Sequence, residues 1–315
     1  MIDSEATVRA RLLPEIHRSI EGGVPVLMVV SDPIAGLVRA DVGTHAPGIV
    51  WGDPAGFYTR LGAAFECFRR YLADRHAAGQ PVHVVAEPEF ADDVAMGTAV
   101  DRARAYLPYE SVCNETYAPY GSPVTCVWDT RRHSAAIIEE ARNVHGHELT
   151  EGGPVPYAGY RAPEDYLAGR AQLPPPQPPV VVDHDVGLHQ LADLRALRAM
   201  IAGWTGRHGF RDAAAEDVGV AVTEIATNAL VHGGSPARVR AWHDDGVLVV
   251  QVDDAGGRPV SPFAGYRRPE VTSKVGGRGL WLARQLADTV DVHSGPGVTS
   301  VRLRFPREIM HRDAG

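Results

Sequence analysis

The run AVTEIATNALVHGGSP, residues 221–236, sets Glu224, Asn228 and His232 four residues apart in a stretch otherwise rich in Ala, Ile, Leu and Val. Residues four apart share a helical face, so the three polar side chains point to one side. Either partners inside a core satisfy them, or that face walls a ligand site. A glutamate accepts a proton, and a histidine donates or accepts one. An amide oxygen suits Mg2+, which takes oxygen ligands and completes its shell with water and nucleotide phosphate. The ExxxN spacing alone is weak, because it recurs at Glu110 and Asn114.

Three further elements follow the first. In VQVDDAGG a strand ends at Asp253-Asp254, and Gly256-Gly257 let the chain turn and a ligand approach closely. A carboxylate there can accept a hydrogen bond from an exocyclic amine, as adenine presents; an ordinary Asp-Gly turn is the plainer alternative. In GGRGLWLARQLAD, Gly276, Gly277 and Gly279 precede an amphipathic helix, and backbone N–H groups at a helix start form an anion site. Arg278 and Lys274, the only lysine, add positive charge there or simply face solvent. The spacing is neither the P-loop nor the dinucleotide fingerprint. In GPGVTSVRL, Thr299 enters the last strand.

The elements that must position these groups come in blocks. The helix LHQLADLRALRAMIAGWTGRHGF precedes the opening helix; ARVRAWHD and VLVVQVDD follow as strands about the turn Asp244-Asp245-Gly246. Then come LWLARQLADT, a helix, and the strands VDVHS and TSVRLRF. This predicts an α+β sandwich over 183–315, one mostly antiparallel sheet with helices on one face. Over 1–150 strands alternate with helices: GGVPVLMVVSDP, QPVHVVAEPEF and GSPVTCVWDT are strands, while 57–75, 97–117 and HSAAIIEEARNVHG are helices. That pattern predicts a Rossmann-like α/β domain with a largely parallel sheet. The Pro/Gly-rich stretch 151–182 reads as a semi-rigid linker.

Composition narrows the function classes. A net charge of −8 and a pI near 5.9 argue against direct binding to nucleic acid or an anionic membrane. No apolar run approaches the ~18 residues of a membrane span, the first residues lack a signal-peptide core, and three cysteines form no disulfide framework. A cytoplasmic location is expected. Cys113, Cys126, His133, His145 and His147 fit no standard zinc spacing and read as buried thiols and surface histidines. Asp129-Thr130 reads as the cap of the next helix.

Taken in order, the four C-terminal elements resemble the GHKL ATPases over about residues 183–307. Glu224-xxx-Asn228 is similar to the N box, Asp254-x-Gly256 to the G1 box, Gly277-x-Gly279-Leu280 to the G2 box and Thr299 to the closing threonine. TEIATNALVHGG and GGRGLWLARQLAD most resemble the RsbW and SpoIIAB anti-sigma serine kinases. The resemblance implies the Bergerat fold and binding of ATP and Mg2+. It makes Glu224 the catalytic base, Asn228 the Mg2+ ligand and Asp254 the acceptor of the adenine amine. Gly277, Arg278, Gly279 and Leu280 would close over the phosphates, with 259–275 as a lid. His232 and Lys274 join the ATP-binding candidates, His232 either touching nucleotide or bracing the helix end. Arg258 stands where the G1 box commonly ends in glycine, so Asp253, with Gly257, remains an alternative register.

Residues 10–150 resemble the MEDS sensory domain through GVPVLMVVSDP, VVAEPEF, Glu110-xxx-Asn114, CVWDT and EEARNVH. Val127, Trp128 and Gly146 depart from its pattern. The resemblance implies sensing of a small molecule, with Glu110, Asn114, Cys126, Asp129 and His145 as candidate residues. The domain order is similar to that of the RsbA-family anti-sigma regulators. It implies an anti-sigma factor and protein serine/threonine kinase that binds a sigma factor, phosphorylates an anti-anti-sigma (STAS-type) protein, and works as a homodimer. The alternatives are a nucleotide-gated sequestering protein without transfer and a sensor histidine kinase. The latter needs a phospho-acceptor helical hairpin, for which 183–216 offers only about one helix.

Overall fold

A computed structural model describes residues 1–43, 46–88, 102–171, 173, 177–233, 236–256, 260–269 and 277–310. The chain divides into two compact units, with the boundary between Pro163 and Glu164 apart from the short segment Thr59–Ala63, which groups with the second. In the first, a helix (α1, Leu13–Glu21) leads to β1 (Val26–Val29), α2 (Asp32–Val42), β2 (Ile49–Trp51), α3 (Leu61–Ala77), β3 (His83–Ala86), α4 (Arg102–Tyr117), β4 (Val124–Cys126) and α5 (Ala135–Asn143). The four strands form one parallel sheet in the order β2-β1-β3-β4. Both middle strands, VLMV and HVVA, are buried along their whole length, as expected where helices cover both faces of a parallel sheet. Val26 and Met28 pack with Leu12, Ile16, Ile34 and Val38.

Residues expected to form a linker carry structure. β5 (His147–Thr150) and β6 (Gly153–Pro156) make a hairpin, and α6 spans Pro163–Ala171. A two-stranded ribbon has only edges, so the prolines of β6 cost it little ladder. Asp129 does not cap the next helix: its Oδ1 accepts the Arg131 N–H at 2.9 Å, while Ser134 Oγ accepts from Ile137 N.

The second unit has β7 (His184–Leu188), α7 (Leu194–Arg207), α8 (Asp212–Asn228), β8 (Ala237–Asp244), β9 (Val247–Asp254), α9 (Arg278–Leu286), β10 (Thr289–Gly295) and β11 (Val298–Pro306). The sheet order is β10-β11-β9-β8-β7, antiparallel throughout. Asp245 and Gly246, both at positive φ, form the two-residue turn between β8 and β9. The helices share a single core with one sheet face. Leu197, Ile201 and Trp204 of α7, Val218, Val222 and Ile225 of α8, and Ala283 of α9 meet Val239, Val250, Leu303 and Phe305. Strand β7 was not anticipated. HDVGL is polar and short, as an edge strand can be, and its pairing with β8 rather than its own propensity defines it. Among the described residues no helix is long and apolar enough to cross a membrane.

Candidate functional site

Helix α8 sinks Val218, Ala221, Val222 and Ile225 into the core, leaving Glu224 and Asn228 half-buried along its flank. At Asn228 the winding changes: Ala229–Gly233 form a wider π turn, a feature that reorients side chains beside functional sites. His232 therefore departs from the straight line that its spacing suggests, and it lies exposed at the lip of a cavity.

That cavity offers about 180 Å3 of space to water, and Asn228, His232, Asp254, Gly277, Leu280 and Thr299 all line it. Strand alternation separates the two neighbouring aspartates. Asp253 faces the back of the sheet, bound by Gln251 Nε2 at 2.8 Å, Ser300 Oγ at 2.6 Å and Arg240 at 2.5 Å. Asp254 faces the cavity, where its Oδ1 accepts the Gly256 N–H at 2.7 Å. Thr299, directly across the ladder on β11, donates its hydroxyl to the same carboxylate. Burial raises the Asp254 pKa above the ordinary aspartate value; these two hydrogen bonds offset part of the rise.

Two glycines make the geometry possible. Gly233 lies so close to Asp254 that a Cβ there would fall on the carboxylate. A Cβ on Gly279 would stand 2.8 Å from Glu224 Oε2 and 2.9 Å from Asn228 Nδ2. Glu224 is thus beside Asn228 over the first turn of α9, next to the cavity rather than in its wall. Gly277 caps α9, and Arg278 begins it, exposed. Lys274 lies outside the described residues.

In the first unit, Glu110 on α4, Cys126 at the end of β4 and His145 beyond α5 converge, their donor atoms all within 4.8 Å of one another. Burial pushes the Glu110 carboxyl and the Cys126 thiol up from their ordinary pKa values. His145 is not a surface residue: its Nδ1 bonds the Ala141 carbonyl at 2.6 Å and its Nε2 lies 3.6 Å from Glu110 Oε2. Asn114, one turn after Glu110 on α4, is exposed, and Asp129 is clamped by Arg131 at 2.6 and 2.9 Å; neither joins the cluster.

Residues 189–305 match the family described as histidine kinase-like ATPase domain, and residues 1–146 match MEDS, the methanogen/methylotroph, DcmR sensory domain. The chain carries a MEDS domain followed by a histidine kinase-like ATPase domain. Among solved structures, the RsbU and RsbW domains of Rv1364c from Mycobacterium tuberculosis are similar, at 22% identity and a TM-score of 0.30. The match covers 39% of this chain and 31% of that one, so it spans less than a third of the neighbour. No curated protein matches the chain.

The lining of the cavity in the ATPase domain offers the groups that a nucleotide needs. Ile225, Ala229, Val252, Val292 and Val301 supply apolar walls for a base. Asp254 offers the one carboxylate among the described lining residues, and the start of α9 supplies backbone donors for phosphate. The side chain of Asn228 suits a magnesium ion held jointly with phosphate. Sequence reasoning assigned no role to Gly233. The signal was its pairing with Asp254 across the fold, which spacing cannot show.

Proposed function

We propose that this chain is an anti-sigma factor of the RsbA kind, with ATP-dependent protein serine/threonine kinase activity under control of its MEDS domain. The observation that carries the reading is the convergence of Asn228, Asp254, Gly277, Leu280 and Thr299 on one cavity, with Glu224 set beside Asn228 at its edge. Asp254 would take the exocyclic amine of adenine, and the apolar walls would hold the ring. Asn228 would hold Mg2+, and Gly277 to Leu280 would cradle phosphate oxygens at the N-terminus of α9. Bound ATP with Mg2+ supplies the phosphoryl group and the charge neutralisation on which such transfers depend. Glu224 would orient the attacking hydroxyl of a partner protein and accept its proton.

The sensor histidine kinase reading needs an acceptor hairpin, and among the described residues 183–211 hold a single α-helix, α7. His184 is on β7, and His208, just after α7, stacks on His243 at 4.4 Å and packs against Trp204. Both belong to the sandwich itself. The test is incubation of the protein with labelled ATP, Mg2+ and candidate anti-anti-sigma proteins. Acid-stable label on the partner is expected. Acid-labile label on this chain would instead indicate a histidine kinase, and nucleotide binding without any transfer would leave a sequestering protein.

A further inference from the structure

The cluster in the MEDS domain has a composition its sequence spacing hides. Glu110, Cys126 and His145 come from three separate elements, 16 and 19 residues apart along the chain (126 − 110 and 145 − 126), so no compact motif announces them. They bring one carboxylate oxygen, one thiol sulfur and one imidazole nitrogen together. We propose that this cluster is a transition-metal site, with zinc as its natural occupant, held by Glu110, the Cys126 thiolate and His145 Nε2.

Four observations carry the assignment. First, the donor set is the mixed N/O/S type that suits zinc rather than Mg2+ or Ca2+. Second, His145 is already oriented: its Nδ1–H donates to the Ala141 carbonyl at 2.6 Å, which leaves Nε2 as the lone-pair nitrogen toward the cluster. A metal-binding histidine characteristically has its other nitrogen fixed in this way. Third, Glu110 is 2% exposed, and among the described residues no arginine or lysine pairs with it. It faces the Trp128 indole N–H at 3.1 Å, His145 and the Cys126 thiol. A buried carboxylate without a strong counter-ion is costly. A dication bound by one carboxylate, one thiolate and a neutral imidazole leaves the site with no net charge. Fourth, the contraction needed is small. Tetrahedral zinc ligands lie about 3.5 Å from one another, given metal–ligand bonds near 2.0–2.3 Å, against the present limit of 4.8 Å.

Three protein ligands leave a fourth position. Glu110 and Cys126 also line a small cavity with Tyr58, Phe68, Tyr106, Cys113 and Tyr117. The fourth position faces that aromatic space, where a small Lewis base would bind the metal directly. This second half rests on the sensory reading of the domain; the metal itself does not.

The test uses the full chain, stripped of metal and titrated with Co2+. One equivalent should bind and give the thiolate-to-cobalt charge-transfer band with the intense visible bands of a tetrahedral site. Cys126→Ser should lose the charge-transfer band, and His145→Ala and Glu110→Gln should weaken binding at least tenfold. Cys113→Ser, which alters the same cavity outside the ligand set, should retain the full spectrum. Added azide should shift the visible bands. Circular dichroism of each variant checks folding, and Zn2+ should raise the melting temperature of wild-type protein but not of Cys126→Ser. Wild-type protein that binds no Co2+ stoichiometrically, or a band that survives in Cys126→Ser, would overturn the metal site. Bands insensitive to azide would overturn the open position alone.

Discussion

Gly279→Ala separates the stability of the ATPase domain from its chemistry. A methyl group there would reach 2.8 Å from Glu224 Oε2 and 2.9 Å from Asn228 Nδ2, when ordinary contacts lie near 3.5 Å. Each head group must retreat by about 0.6–0.7 Å relative to that contact distance. Both are the ends of flexible side chains on half-buried positions, so the retreat costs about 0.5–1.5 kcal/mol of rotamer strain. Replacing glycine by alanine in a helix returns up to about 1 kcal/mol. The two nearly cancel, and thermal denaturation should show a shift within about 3 °C. Transfer chemistry has no such compensation: displacing the proposed base and the proposed metal ligand by a sizeable part of an ångström would cost on the order of 100-fold in rate. Initial rates of phosphoryl transfer to the partner protein, measured beside melting curves, check both halves. A Gly279→Ala protein that transfers within threefold of wild type would show that Glu224 and Asn228 do not act from these positions. A large loss of stability would show instead that the first turn of α9 cannot yield.

Other perturbations address separate parts of the chain. Gly233→Ala places a methyl on the Asp254 carboxylate, so nucleotide affinity should fall at least about tenfold, the effect of ~1.4 kcal/mol, in a fluorescent-nucleotide titration. Glu224→Gln should leave that affinity within a few fold and abolish transfer, since it removes the proposed base and keeps the shape. Asp254→Asn should lose adenine binding yet raise the melting temperature of the nucleotide-free protein by about 1–2 °C at neutral pH. The sign follows from its raised pKa. The folded state holds the proton more tightly, so wild-type stability falls as pH rises from the ordinary aspartate range through the folded value; the gain in Asp254→Asn should vanish at lower pH. In the MEDS domain, burial lowers the His83 pKa to about 4, between Ser19 Oγ and Thr125 Oγ1, each at 2.8 Å. Its stabilisation is present above the ordinary histidine value near 6.5 and is lost as pH falls toward 4, on the order of 3 kcal/mol in all. The protection of β3 amides against hydrogen exchange, taken relative to their intrinsic rates at each pH, should fall across that window in wild type and much less in His83→Gln.

The ATPase domain was more legible than the MEDS domain because its ligand-site candidates lie at the ends of strongly patterned elements. The stripe of α8, the Asp245-Gly246 turn and the alternation of β9 all carry local signals. Edge strand β7 carries none, since only its neighbour defines it. The hairpin β5-β6 was hidden by the prolines that made 151–182 look like a spacer. In the MEDS domain, Glu110 and Asn114 have the same ExxxN spacing as Glu224 and Asn228, yet only Glu110 turns inward. A spacing of four guarantees a shared helix face, but what that face meets one turn further on depends on the packing partner.

Asp253 and Asp254 show how one sheet separates two residues that a motif leaves interchangeable. Sequence alone allows either register, because Arg258 stands where a glycine is expected. Neighbouring residues on a strand face opposite sides, so only one of the pair can enter the cavity. Val250 and Val252 of β9 pack into the core shared with the helices. Asp254 continues that face, two residues on, while Gln251 and Asp253 continue the other. Thr299 pairs with Asp254, and Ser300 with Asp253, so each aspartate meets a hydroxyl on its own side. The polar ladder of Arg240, Gln251 and Ser300 leaves Asp253 fully engaged behind the sheet. Asp254 keeps acceptor capacity beyond the Gly256 N–H and the Thr299 hydroxyl, at the cost of a carboxylate partly shielded from water. That unspent capacity, held against glycine rather than a larger side chain at position 233, is what a base-recognition site requires.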